Sequence, residues 1–239
     1  MKRALVTGGS GSIGAAICRD LARRGLHVIV HAHRNGARAE VIAREIRSAG
    51  GSAETVSFDV ADAGRSAQEL ERLLEAGPVQ VLVHNAGITA DAPLAGMSES
   101  QWTNVIGVSL NGFFNVAKPL LLPMMRTRWG RIVALSSVAG IMGNRGQANY
   151  AAAKSGLHGA VKSLAIEVAS RGVTVNAVAP GIVASAMTKD VFSEDDINRL
   201  VPMKRAGTPE EVASVVGFLC SDEAAYVSGQ VISVNGAMA

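Results

Sequence analysis

Ala4-Leu5-Val6-Thr7-Gly8-Gly9-Ser10-Gly11-Ser12-Ile13-Gly14 is the stretch that decides the fold of this chain. An apolar run passes into glycine-rich turn residues, and an amphipathic segment, Ile13–Arg24, begins at once. A strand that ends in such a turn and feeds a helix leaves the helix N-terminus, with its free N–H groups and positive dipole charge, open to a phosphate. Glycine lets the backbone approach that phosphate closely. Glycine also serves plain tight turns; here its place at the strand-to-helix junction marks a nucleotide site.

Further short aliphatic runs follow at Val28–Val30, Val56–Phe58, Val81–Val83, Ile132–Leu135, Val173–Val178 and Val231–Val234. They show little polar alternation and read as strands buried on both faces. Amphipathic segments lie between them, at Ala37–Ala49, Ser66–Ala76 and Glu210–Leu219, with longer helical regions over 98–125 and 149–170. This alternation predicts an α/β fold: one Rossmann-like domain over 1–239, a doubly wound parallel sheet of seven strands with helices on both faces. No internal repeat, low-complexity segment or linker divides it. Residues 182–207, after Pro180-Gly181, are polar and mixed and follow a strand's carboxyl end, where α/β folds place substrate lids. Within them Ser193-Glu194-Asp195-Asp196 reads as a helix N-cap.

Composition excludes several functions. Aromatics are 4% and glycines number 26, which suits a closely packed aliphatic core rather than an aromatic-rich nucleic-acid or carbohydrate binder. The net charge of +3 is too small for a nucleic-acid surface. The start, Met1-Lys2-Arg3, leaves no room for a signal peptide's apolar region, and no run approaches the ~18 apolar residues of a membrane span. Cys18 and Cys220 form no CxxC motif and read as small buried hydrophobes in a reducing cytoplasm. The expectation is a soluble cytoplasmic protein.

Chemistry is concentrated at Tyr150-Ala151-Ala152-Ala153-Lys154, with Ser137 upstream. On a helix, residues four apart share a face, about 6 Å apart along the axis. A phenol titrates near pH ~10 and serves as a proton donor or acceptor at neutral pH when a cation beside it lowers that value. A serine hydroxyl nearby can hold a carbonyl oxygen. Any alanine-rich helix can carry this pair; the nucleotide turn is what gives it a reaction. After the second strand, His31-Ala32-His33-Arg34-Asn35 carries no acid before Glu40, whereas NAD enzymes usually place an acid there for the ribose 2′-hydroxyl. Arg34 is available to a 2′-phosphate, which favours NADP. Asp59 closes the third strand and can accept from the adenine amino group. The small residues of Asn85-Ala86-Gly87 let the chain pass close to the adenine ribose. His31 and His33 read as structural or surface residues.

In order, these motifs resemble the short-chain dehydrogenase/reductase family: Thr7–Gly14, Asp59-Val60, Asn85-Ala86-Gly87, Ser137, Tyr150-x-x-x-Lys154 and Pro180-Gly181. The likeness covers the whole chain. Gly143 through Lys154, Ser170 through Asn176 and the ending Val234 through Met238 look most like bacterial 3-oxoacyl-[acyl-carrier-protein] reductases. The resemblance implies NADP(H) held by Gly8, Ser10, Ser12, Ile13, Gly14, Arg34, Asp59, Val60, Asn85, Ala86, Gly87, Tyr150, Lys154, Pro180, Gly181, Ile182 and Thr188. It implies that Tyr150 donates a proton, that Lys154 lowers the Tyr150 pKa and holds the nicotinamide ribose, and that Ser137 holds the substrate oxygen. It further implies an acyl-carrier protein docked at Arg128 and Arg171, with Arg126 and Arg131 beside the first, and a homotetramer built through the long helices and the apolar C-terminal strand.

Two positions depart from the family pattern. Ser12 stands where the pattern TGxxxGxG has glycine, and Gly11 occupies a slot often basic in NADP-binding members. Ser109 stands where the family's helix asparagine supports the lysine through a water; Asn111 is about 200° away around an α-helix and does not replace it. The expectation is an active reductase whose proton relay runs through Ser109. An alcohol or sugar dehydrogenase acting on a small free substrate, and a non-catalytic nucleotide-binding assembly subunit, are the alternatives.

Overall fold

The computed structural model describes residues 1–184 and 192–239. Its sheet consists of β1 (Arg3–Thr7), β2 (His27–Ala32), β3 (Ser52–Ser57), β4 (Val81–His84), β5 (Gly130–Leu135), β6 (Val173–Pro180) and β7 (Val231–Val234), all parallel. The order is β3-β2-β1-β4-β5-β6-β7, so the winding reverses between β1 and β4. Open α/β sheets bind ligands at such a reversal, beyond the strands' carboxyl ends.

Alternation along each strand divides the core in two. Ala4 and Val6 of β1 point with Val28, Val30, Val81 and Val83 to one face, covered by α1 (Ser12–Arg23), α2 (Gly36–Ser48) and, late in the chain, α9 (Pro209–Leu219). Leu5 points with Ile29, Leu82 and Ile132 to the other, against α3 (Ala63–Glu75), α5 (Gly112–Arg126) and α7 (Ala148–Val168). Both faces of β1 are buried, which is why it reads as a continuous apolar run.

Two expectations change. The third strand is Ser52–Ser57, not Val56–Phe58. It lies at the sheet edge with polar residues in alternation, and an apolar run is the signature of a strand buried on both sides, not of an edge. The second concerns the helical run Glu99–Arg126, which by length and composition is long and apolar enough to cross a membrane. Val105, Phe113, Val116, Leu120 and Met124 along it are buried, the last four against the sheet, so this is a core helix with an apolar exposed side that includes Phe114 and Leu122. The run is not uniform: α4 (Glu99–Ile106) meets α5 through a π-helical turn, Gly107–Asn111. The C-terminal strand β7 is the other edge and is only partly buried.

Candidate active site

The glycine turn is built as its sequence requires. Gly8 has φ +62°, a left-handed conformation that costs an L side chain. At Gly14 a Cβ would collide with the Gly8 carbonyl oxygen, so glycine alone allows the first turn of α1 to pack on the loop. Gly11 is the α1 N-cap and offers no side chain to it. By contrast, Asn35, Asp62, Ser98, Ser193 and Thr208 cap α2, α3, α4, α8 (Glu194–Leu200) and α9 with side-chain acceptors. The first N–H groups of α1 thus remain for a ligand. Ser12 opens the helix, half-buried, beside this gap.

His31 and Asn85 hold the turn in place. The Gly8 N–H donates to His31 Nδ1 at 3.1 Å, and His31 Nε2 lies 2.9 Å from the Phe58 carbonyl, to which it donates. Burial pushes the His31 pKa down to about 4, keeping the ring neutral. The Asn85 amide donates to the Thr7 and Gly8 carbonyls at 3.1 and 3.0 Å. Asn85 is therefore a strut for the loop as well as a wall of the site.

A cleft of about 190 Å³ opens at the carboxyl ends of β4, β5 and β6. Ile13, Asn85 and Gly87 line its nucleotide side; Ser137, Tyr150 and Lys154 line the other, with Pro180 and Gly181 at its edge. At Gly181 a Cβ would meet Asn235 at 2.8 Å, so the chain passes there only as glycine. Ser137 follows β5, its Oγ accepting from the Ala139 N–H at 3.2 Å. Tyr150 enters on the first turn of α7, where its N–H donates to the Asn149 side chain at 2.8 Å.

Lys154 is 3% exposed, and its ammonium donates to the Leu135 carbonyl at 2.7 Å. Burial pulls its pKa from 10.5 down to about 8. It stands 5.5 Å from the Tyr150 ring centre. The expected depression of the Tyr150 pKa is not what the structure gives. Burial raises it, a hydrogen bond with Ser137 offsets part of that, and the Asp91 carboxylate adds to the rise. With Lys154 turned to Leu135, the phenol keeps its proton at neutral pH, as a donor must.

Ser109 is fully buried in the π turn, and its hydroxyl has no hydrogen-bond partner among the described residues. A Cβ on Gly87 would lie 3.1 Å from Lys154 Nζ and 3.4 Å from Ser109 Oγ, so both polar groups face the same edge of the cleft. Asn111 is exposed, in line with the expectation that it does not replace Ser109.

The remaining predicted positions divide. Arg34 is exposed just before α2, and Asp59 Oδ1 accepts from the Ala61 N–H at 2.9 Å while Oδ2 stands 3.9 Å from His33. Val60 is 2% exposed, and its carbonyl takes the Asn115 amide at 2.9 Å. Ile182 lines a separate depression of about 470 Å³ with Val201, Met203 and Asn235. Thr188 lies outside the described residues, as do the other residues of the expected lid from 185 to 191. Arg128 and Arg171 come together, the Arg128 guanidinium donating to the Ser170 carbonyl at 3.3 Å. They sit at the turns feeding the amino ends of β5 and β6, at the opposite end of the sheet from the cleft. The eight residues of β6 separate the two ends by roughly 26 Å. Arg131 does not belong with them: it is 2% exposed, stacked 4.4 Å over Trp129 and donating to Ser221.

Of the structural or surface role expected for His31 the structure gives the first, as the turn's anchor, while the sequence reading gives His84 no role. The available signal was a histidine at the carboxyl end of β2 and another directly before Asn85-Ala86-Gly87.

Known proteins carry the same pattern. The sequence profile of the family described as enoyl-(acyl carrier protein) reductase matches residues 8–238. The 3-oxoacyl-[acyl-carrier-protein] reductase FabG of Escherichia coli (strain K12) is 46% identical over 241 residues, covering 99% of this chain and 97% of that protein. The protein of the same name from Aggregatibacter actinomycetemcomitans is 42% identical over 98% of both chains. Among solved structures, a putative gluconate dehydrogenase from Agrobacterium tumefaciens superposes with a TM-score of 0.95 at 30% identity, covering 99% of this chain and 95% of that one. With its parallel sheet reversing between β1 and β4 and full-length likeness to these enzymes, the chain belongs to the short-chain dehydrogenase/reductase family.

Proposed function

We propose that this protein is an NADPH-dependent oxidoreductase that reduces 3-oxoacyl groups carried on an acyl-carrier protein to 3-hydroxyacyl groups. One observation carries the reading: Ser137, Tyr150 and Lys154 meet in a single cleft that shares its wall with the glycine turn. The residues fit the cofactor. The uncapped start of α1, which Gly14 lets pack tightly on the glycine loop, suits a pyrophosphate, Asn85 through Gly87 flank a ribose, and Arg34 suits a 2′-phosphate. When bound, the nicotinamide supplies the hydride that the β-keto carbon takes up.

The protein's own groups handle the oxygen. Ser137 donates a hydrogen bond to the carbonyl and stabilises the charge that develops on it. Tyr150, its proton retained by burial, delivers that proton to the oxygen as general acid. The Lys154 ammonium stabilises the phenolate left behind, and the unpartnered Ser109 hydroxyl beside it offers a water the acceptor it needs to refill Tyr150. The substrate class follows the 42–46% likeness to named 3-oxoacyl-[acyl-carrier-protein] reductases over nearly the whole chain.

An acidic carrier docks at Arg128 and Arg171. Because that pair lies at the far end of the sheet from its own cleft, its cargo enters the cleft of a second copy; the family likeness supports a homotetramer and a cytoplasmic location. Steady-state kinetics with NADPH and NADH on carrier-bound and free β-keto substrates tests the whole. Carrier-bound turnover with NADPH supports it; turnover confined to free alcohols or sugars, or cofactor binding without turnover, overturns it.

A further inference from the structure

A hydrogen-bond chain runs from beneath the glycine turn to the π turn of the helix behind Lys154. It starts at Thr7, fully buried at the end of β1, whose Oγ1 accepts from the backbone N–H groups of Asn85 and Ala86 at 3.0 Å each. A hydroxyl oxygen has two lone pairs and one proton. Both lone pairs are taken, so the proton goes to the remaining neighbour, His84 Nδ1, at 3.2 Å. Nδ1 is then the bare nitrogen of the ring, and Nε2 carries its hydrogen. Nε2 stands 3.0 Å from the Ser109 carbonyl oxygen and donates to it. The ring is fully buried and edge-on to Phe113, 5.8 Å between centres. Burial first, then the nearby Lys154 charge, pushes its pKa down to about 3, with His31 a smaller influence in the same direction.

The acceptor sits at a place that needs an outside donor. A π turn holds one residue more than an α turn, so its carbonyls fall out of register with the ordinary i→i−4 ladder. The Ser109 carbonyl is held by His84, while the hydroxyl of the same residue is left facing the Gly87 edge shared with Lys154. Backbone anchoring of Ser109 therefore fixes the Cα–Cβ direction from which its hydroxyl reaches that edge.

We propose that His84 is a positioning residue for the reduction: its Nε2–H clamps the Ser109 carbonyl, aiming the Ser109 hydroxyl at Lys154, while its bare Nδ1 ties that clamp to Thr7 under the nucleotide turn. This rests on the reading of Lys154 and Ser109 as the proton path. It adds that the path is braced by one neutral tautomer of one histidine, and that the brace also contacts the cofactor loop.

Nitrogen-15 spectra of the wild-type imidazoles test the clamp without turnover. They should show His84 protonated at Nε2 only, unchanged down to about pH 5. An Nδ1–H tautomer, or titration near the ordinary histidine value, overturns the proposal. His84→Phe keeps the ring's bulk and removes both nitrogens; kcat should fall roughly tenfold or more, with the KM for cofactor changed less than about twofold. The Lys154 titration, read from its side-chain carbon resonance, should move to lower pH, because the ammonium loses a fixed oxygen neighbour. His84→Gln, whose amide reaches toward the Ser109 carbonyl, should recover most of both; His84→Asn, too short to reach it, should not. Unchanged kcat and an unchanged Lys154 titration in His84→Phe overturn the idea. If that variant does not fold, the Gln and Asn variants decide it: equal behaviour of the two overturns it. Should the wild type reduce no β-keto thioester, the substrate reading fails alone, since the tautomer and the Lys154 titration still confirm or refute the clamp.

Discussion

Lys154 gives the most exacting prediction. Burial alone takes its ammonium from an ordinary 10.5 to about 8, so the charge that supports the Tyr150 phenolate is lost within an accessible pH range. With a single proton at that value, the charged fraction falls from roughly 0.9 at pH 7 to roughly 0.1 at pH 9. The reduction rate should follow it: level below pH 7, halved near pH 8 and about tenfold lower at pH 9. Unfolding does not mimic this loss. Between about 8 and 10.5 the unfolded chain binds the proton that the folded lysine has released, so this group's contribution to stability increases with pH across the window. The assay is kcat for NADPH oxidation at saturating substrate across that range, with circular dichroism recorded at each pH. Lys154→Arg supplies the control, because a guanidinium stays charged and should give a lower but flat profile. A wild-type rate that stays level to about pH 9.5, or an arginine variant with the same alkaline fall, would refute the assignment.

Other outcomes follow from the same geometry. Ser137→Ala should lower kcat by about a hundredfold with little change in cofactor KM, measured in the steady state. Ser109→Ala removes a buried hydroxyl that has no partner among the described residues, so thermal unfolding should show unchanged or slightly higher stability, up to ~1 kcal/mol, while kcat falls; Ser109→Asn should keep or raise kcat. Arg34→Ala should raise the NADPH KM about tenfold and leave the NADH KM in place, as competing cofactor titrations will show. Reversing Arg128 and Arg171 to Glu should weaken turnover of carrier-bound substrate, less so at high salt, and spare a small free thioester; equal loss on both substrates counts against docking there.

The sequence made the sheet and the cleft legible for one reason: buried parallel strands and glycine turns leave local signatures. Gly14 must be glycine because of the Gly8 carbonyl, and the motif records that contact directly. The edge strand Ser52–Ser57 left a polar alternating pattern, so a search for apolar runs caught only its end. The spacing of Tyr150 and Lys154 placed both on one helix face, yet it could not show where the ammonium points; the Leu135 carbonyl that takes it lies on another element. Arg131 looked like a companion of Arg128 in sequence, but β alternation turns it inward onto Trp129. The roles of His31 and His84 depend on partners 23 to 77 positions away, beyond the reach of local periodicity.

The π turn at Gly107–Asn111 carries a spare residue within a run that continues from Glu99 to Arg126. Deleting one residue from a regular helix rotates everything beyond it by about 100° and would turn the Phe113–Leu120 face away from the sheet. Deleting one residue here can instead relax the wide turn to an ordinary one, with α4 and α5 both keeping their faces. This helix can thus be shortened by one position and still fold, and the loss would fall on the Ser109 geometry rather than on the core.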